Sequence, residues 1–205
     1  MTDRRTALVA AGYDAMADTW ETWSAQVSDD PRFDWLTRLA DRLPADAQVV
    51  ELGCGNGTRE TRELAVRFRL AGVDLSAEQL HRARARVPGA TFVQADLTTV
   101  DFAPGSLDAV CAFYVLNHVP RELLPQVFDH VHSWLRPGGL FLATLGANDL
   151  EAWEGEWRGV PMYFSGHDPA RNRELLGAFE LVDDEVVTIS EPEGPVSFHW
   201  ILARR

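Results

Sequence analysis

Between residues 51 and 57 the chain reads E-L-G-C-G-N-G, a lone carboxylate, Glu51, followed by Gly53, Gly55 and Gly57 at alternate positions. Glycine costs backbone entropy, and three so close make sense where the backbone bends sharply and must approach a ligand. Helix formers follow from Arg59, so the free N–H groups of a helix N-terminus face the same point. Two more carboxylates end strand-like runs, Asp74 in A-G-V-D-L-S and Asp96 in Q-A-D-L. A carboxylate accepts hydrogen bonds from a cis-diol or from an exocyclic amine, so the three acids and the glycines describe a binding site for a polar cofactor. Among six histidines, His118 in L-N-H-V-P stands just beyond a strand-like run and is the candidate general base.

The elements that position these residues follow from periodicity. Asp30–Leu43 is an amphipathic helix, with Asp30 as N-cap and Pro31 at its first position. Strands are expected at Gln48–Leu52, Leu70–Asp74, Thr91–Gln94, Leu107–Phe113 and Leu140–Leu145. Helices are expected at Arg59–Arg67, at Ala77–Val87 behind the capping box Ser76/Gln79, and at Pro125–Leu135. Thr58 reads as a helix cap. Strands alternating with helices imply right-handed crossovers and a parallel sheet covered on both faces. The runs Glu180–Ser190 and Pro195–Ala203, joined by the turn-rich Glu191–Gly194, read as a closing antiparallel hairpin. The glycine turn then lies outside the carboxyl ends of the strands, where open α/β sheets bind ligands.

Glycine spacing separates two cofactor readings. A dinucleotide fingerprint, G-x-G-x-x-G, needs glycine at 58, where Thr58 stands, so a nicotinamide-dependent oxidoreductase is the weaker alternative. The stretch E-x-G-x-G-x-G instead resembles the first motif of class I S-adenosylmethionine-dependent methyltransferases. V-D-L-S, Q-A-D-L, L-D-A-V-C-A-F-Y-V-L-N-H-V-P and L-R-P-G-G match later landmarks of that family, in order, over Ala47–Gly146. The resemblance implies an α/β, Rossmann-like three-layer sandwich with a mostly parallel seven-stranded sheet and a C-terminal antiparallel hairpin. It also implies S-adenosylmethionine as methyl donor and S-adenosylhomocysteine as product. Asp74 and Leu75 would hold the ribose, Ala95, Asp96 and Leu97 the adenine, and Glu51, Gly53, Cys54, Gly55 and Phe113 the amino-acid end. Glu51 reads equally as a brace for the glycine loop. A protein that holds the cofactor without catalysis is the alternative from outside the enzymes.

On the acceptor side, G-Y-D-A-M-A-D-T-W-E-T-W resembles the lid segment of small-molecule methyltransferases, with Tyr13 placed over the sulfonium and Trp20 along the same cavity. Tyr114 and His118 follow the fourth strand, and Trp157, Met162 and Tyr163 lie in an aromatic, glycine- and proline-rich segment read as a specificity loop. Asp168 and Pro169 would open a helix after it. The expected division of a single domain, 1–205, is a helical lid at 1–45, a cofactor core at 46–146, and a substrate-side insertion with terminal hairpin at 147–205.

Composition narrows the class. In 205 residues, 46% are hydrophobic, enough for one globular core. Nineteen Lys plus Arg against 31 Asp plus Glu give a formal net charge of −12, which repels nucleic acid. No apolar run reaches membrane-spanning length and the N-terminus lacks signal-peptide character, so a cytoplasmic location is expected. Two cysteines without neighbouring His read as reduced, buried thiols, and no metal site is expected. The partner is expected to be a small organic methyl acceptor, and the pattern fits a monomer and a homodimer equally.

Overall fold

A computed structural model describes residues 3–205. Its centre is a seven-stranded sheet in the order β3-β2-β1-β4-β5-β9-β8. The strands are β1 (Gln48–Leu52), β2 (Arg69–Asp74), β3 (Thr91–Gln94), β4 (Leu107–Ala112), β5 (Leu135–Gly146), β8 (Glu180–Glu191) and β9 (Gly194–Arg204). The first five pair in parallel, and β9 runs antiparallel to both β5 and β8. The order reverses between β1 and β4, so a crevice opens at their carboxyl ends.

Strand alternation sends neighbouring residues to opposite faces. Val50, Leu52, Val110, Phe141 and Ile201 pack with Phe128, Val131 and Trp134 of α6 (Leu124–Trp134). Val49, Cys111, Leu142 and Trp200 pack with Trp35 and Leu39 of α3 (Arg32–Ala40) and Leu64 of α4 (Arg59–Arg67). Trp35 and Trp200 are fully buried and stacked with centroids 5.7 Å apart, a large apolar contribution to that layer. With α5 (Ala77–Arg86) beside β2 and β3, the result is the expected three-layer sandwich.

Local chemistry explains most boundaries. Ser76 Oγ accepts from Gln79 N at 3.0 Å and caps α5. The Gln79 side chain, however, reaches the Tyr13 carbonyl instead of closing a capping box. Asp168 caps α7 (Pro169–Leu175) through Arg171 N, with Pro169 at its first position. In α3 the start falls one residue later than expected: Pro31 occupies the N-cap, while Asp30 still accepts from Arg32 N at 3.0 Å. Thr58 stands at the N-cap of α4 but makes no side-chain cap hydrogen bond.

The segment read as a long specificity loop is a second, two-stranded sheet, β6 (Leu150–Trp157) with β7 (Val160–Gly166). Arg158 and Gly159 both take positive φ, 56° and 80°, the geometry a tight hairpin turn needs. This hairpin packs on α1 (Arg4–Ala15): Val9, Met16, Met162 and Tyr163 form a small separate cluster. Helix α2 (Ala17–Ser24) continues from α1 over the crevice. No helix among the described residues is long and apolar enough to cross a membrane.

Candidate active site

The glycine turn leaves β1 with three left-handed residues, Gly53, Gly55 and Gly57 at φ 72°, 52° and 71°. A Cβ at Gly53 would lie 2.5 Å from Val115, whereas one at Gly55 would meet nothing within 4 Å and would project into open space. Gly53 is thus a packing glycine, and Gly55 leaves backbone accessible to a ligand. Asp74, at the end of β2, ties this turn down: Oδ2 accepts from Gly55 N at 2.8 Å and Oδ1 from Ser76 N at 2.9 Å. Burial pushes the Asp74 pKa up, and the N–H groups of Ser76, Gly55 and Leu75 pull it back.

These residues line a cavity of about 880 Å³ at the crevice. Glu51, Gly53, Cys54, Gly55, Asp74, Leu75, Ala95, Asp96, Leu97 and Phe113 are all on its wall, as are Tyr13, Trp20, Tyr114, His118 and Trp157. Asp96 spends Oδ1 on Thr98 N and Oγ1. Glu51 is buried with Oε2 unpartnered, and its pKa is raised well above the usual range by burial and then by Glu60. Asn56, fully buried on the same cavity wall, leaves both amide atoms unpartnered. A buried polar group without a partner costs about 1–3 kcal/mol, so orphaned atoms beside this cavity fit a polar ligand that supplies the missing bonds.

His118 follows β4 on a short 3-10 turn (Leu116–His118) and is 7% exposed. Its Nδ1 lies 3.0 Å from the Tyr163 carbonyl and its Nε2 2.8 Å from the Tyr13 hydroxyl. A carbonyl only accepts, so Nδ1 carries the proton, Nε2 is the free lone pair, and Tyr13 donates to it. Burial lowers the His118 pKa to about 4, against a smaller upward pull from the Tyr163 carbonyl. Burial raises the Tyr13 pKa, helped by Asp74 and Glu191 and opposed by Arg158.

Tyr13 and Trp20 meet edge to face at 5.2 Å, as do Trp23 and Trp157 at 5.7 Å and Trp157 and Phe164 at 5.4 Å, while Trp20 and Trp23 are tilted at 31° with centroids 5.1 Å apart. This continuous aromatic wall joins the N-terminal helices to the β6–β7 hairpin. Met162 and Tyr163 stand behind it, and here the sequence expectation is corrected. Both are fully buried and off the cavity wall, because β7 turns them toward α1, where Met162 Cε sits against Gly12. What Tyr163 brings to the site is its carbonyl.

Several cavity residues were absent from the sequence reading. Arg32 is clamped between Asp30 and Glu60 and lies over the Tyr114 ring at 4.8 Å, while the Tyr114 hydroxyl donates to Asp30 at 2.8 Å. Asn117, Phe164 and Glu191 also face the cavity. Phe164 carried a signal in the alternation of β7. Arg32 and Glu191 did not, since only tertiary packing brings α3 and the β8–β9 turn to this wall.

Residues 49–139 match the profile of a family described as a methyltransferase domain. A trans-aconitate 2-methyltransferase from Paracidovorax citrulli is 39% identical over 127 residues, covering 59% of this chain and 46% of that protein. One from Deinococcus radiodurans is 33% identical over 160 residues, covering 67% and 59%. The chain thus spans about half the length of these relatives. Among solved structures, Burkholderia thailandensis 1,6-didemethyltoxoflavin-N1-methyltransferase, with bound 1,6-didemethyltoxoflavin and S-adenosylhomocysteine, superposes with TM-score 0.70 at 20% identity, over 95% of this chain and 84% of that one. Residues 49–139 thus carry the profile of a methyltransferase domain, and sheet order and glycine turn make the chain similar to the class I, Rossmann-like S-adenosylmethionine-dependent methyltransferases.

Proposed function

We propose that the protein transfers a methyl group from S-adenosylmethionine to a small organic acceptor. The observation that carries this reading is the single cavity wall that joins the Gly53–Gly57 turn and Asp74 to the aromatic residues of the N-terminal helices and the β6–β7 hairpin. Asp74 and Leu75 hold the ribose, Ala95, Asp96 and Leu97 receive the adenine, and Gly53 to Gly55, Phe113 and the orphaned Glu51 carboxyl serve the amino-acid end. When bound, the cofactor supplies an electrophilic methyl group on a positively charged sulfur. The chain's own residues position the two reactants and exclude water, the larger part of what in-line displacement needs. Tyr13 presents its ring to that positive charge while its hydroxyl is fixed by His118. His118 is the base: an acceptor proton reaches Nε2 through the Tyr13 hydroxyl that already occupies it. The trans-aconitate relatives make carboxylate oxygens one acceptor class to examine, and Trp20, Tyr114 and Trp157 are the acceptor-side contacts.

Incubation with S-adenosylmethionine and a panel of acceptors, with S-adenosylhomocysteine read by mass, tests this. Acceptor-dependent formation of S-adenosylhomocysteine is expected. Tight cofactor binding without any turnover across the panel would replace the enzyme with a cofactor-holding protein.

A further inference from the structure

Several of the donors on the acceptor half of the cavity are already committed to protein partners. The Tyr13 hydroxyl is given to His118 and the Tyr114 hydroxyl to Asp30. The Trp23 indole N–H donates to Glu193 at 3.1 Å, and Arg32 is held by two carboxylates. Arg59 and Arg62 reach the cavity from the exposed side of α4, at its rim, where Arg59 lies over Phe33 at 4.3 Å. Free acceptors, by contrast, face inward. Asn117 Oδ1 is buried without a partner, and Glu191, at the end of β8, is half-buried on the cavity wall and makes no hydrogen bond or ion pair among the described residues. The nearest cation, Arg158, is taken by Glu193 at 2.8 Å and stacks over Trp23 at 4.1 Å. Glu191 therefore stands beside the aromatic wall with its lone pairs uncommitted. Burial and then Glu193 raise its pKa, as expected for a carboxylate lacking a donor.

Resting on the methyltransferase reading above, we infer that the acceptor is a neutral aromatic amine whose ring lies along Trp20, Trp157 and Phe164 and whose N–H is received by Glu191. A flat ring matches an aromatic wall, and an N–H donor matches the uncommitted carboxylate of Glu191. A tricarboxylate would meet Glu191, Asp29, Asp30 and Glu60 with two guanidinium groups already paired to carboxylates, Arg32 and Arg86, and two rim arginines, a poor electrostatic match. An aromatic amine also suits the weak base. Its nitrogen attacks through a lone pair that needs no prior deprotonation. The N–C bond forms as the S–C bond breaks, the electron pair stays on sulfur, and the N-methyl arylammonium gives up its proton through Tyr13 to His118 Nε2 and then to water. Glu191 binds and orients the nitrogen and takes no part in the bond exchange.

The test is calorimetric titration of the protein, saturated with S-adenosylhomocysteine, with 2-aminonaphthalene, 2-methylnaphthalene and trans-aconitate, together with tryptophan fluorescence, and methylation of 2-aminonaphthalene and 2-naphthol read by mass with S-adenosylmethionine. The amine is expected to bind about 10-fold more tightly than the methylnaphthalene, to quench fluorescence, to lose about 10-fold in affinity in Glu191→Gln, and to be methylated where the naphthol, which must first lose its proton, is not. Equal binding of amine and methylnaphthalene, tighter binding of trans-aconitate, no binding of the amine, an indifferent Glu191→Gln, or methylation of the naphthol and not the amine would each overturn it. Failure of S-adenosylhomocysteine itself to bind would overturn the cofactor reading, and is seen before any acceptor is added.

Discussion

At the scale of residues, Asp74 does two things at once: it holds the Gly55 and Ser76 N–H groups and, in the proposed complex, faces the ribose. Replacing its charge while keeping its shape, Asp74→Asn, is expected to weaken S-adenosylmethionine binding about 10- to 100-fold, the worth of charge-assisted hydrogen bonds. Isothermal calorimetry reads this directly, and unchanged affinity in a folded variant would remove Asp74 from the ribose site. His118 gives a prediction about pH. Its folded pKa, about 4, lies below the ordinary histidine value of 6.5, so between those values the unfolded chain binds more protons than the folded one. The His118 contribution to stability is therefore complete above pH 6.5 and is lost as pH falls through 4, within about 3 kcal/mol in all. Urea midpoints measured from pH 7 to 4.5 should fall more steeply for the wild type than for His118→Gln. Parallel curves would show that the imidazole is not held neutral.

At the scale of elements, the glycines divide by what surrounds them. Gly53→Ala drives a Cβ into Val115 at 2.5 Å on a left-handed residue, and the strand-to-turn junction has no room to yield. Gly55→Ala meets no neighbour and pays only the left-handed penalty, about 1–2 kcal/mol. Thermal melts should rank Gly53→Ala as the less stable variant, whereas Gly55→Ala should stay folded and lose cofactor affinity, because its methyl fills space the ligand needs. The reverse ranking would contradict the assignment of these two positions. The same contrast explains what was legible in the chain. The β1 glycine turn, Asp74 and Asp96 are local signals, each readable from strand ends and spacing. The β6–β7 hairpin was not legible, since its tip is Arg158-Gly159, outside the usual Asn-Gly pattern, and aromatic density invited a loop reading. Met162 and Tyr163 were misplaced with it: packing against α1, which simple strand alternation does not predict, decides which β7 residues reach the cavity. Glu191 and Arg32 depend on contacts spanning most of the chain, which no local pattern reveals.

For the whole molecule, the question is how the N-terminal helices stay over the cavity. Asp14 accepts from Ser76 Oγ at 2.5 Å and from Glu78 N at 3.2 Å, Arg82 reaches Ala17 O at 2.8 Å and Asp18 at 2.6 Å, and Arg86 pairs with Glu21 at 2.6 Å. The exposed pairs among these, Asp18 with Arg82 and Glu21 with Arg86, contribute about 0–1 kcal/mol each and weaken with salt. A cover fastened in part by such weak contacts suits a site that opens to exchange its ligand. The double variant Asp18→Ala, Glu21→Ala should therefore speed S-adenosylhomocysteine release several-fold in stopped-flow fluorescence, while the urea midpoint of the folded core barely moves. A large stability loss with unchanged release would make these helices part of the core instead.

Each cofactor assignment depends on the Gly53–Gly57 turn and Asp74 forming the proposed site for S-adenosylmethionine. Parallel calorimetric titration of the purified protein with S-adenosylmethionine, S-adenosylhomocysteine, NAD and NADP addresses it most directly. Saturable binding of the two sulfur compounds and none of the nicotinamide cofactors is expected. Binding of NAD or NADP with neither sulfur compound bound would contradict it, together with each site assignment built on that turn.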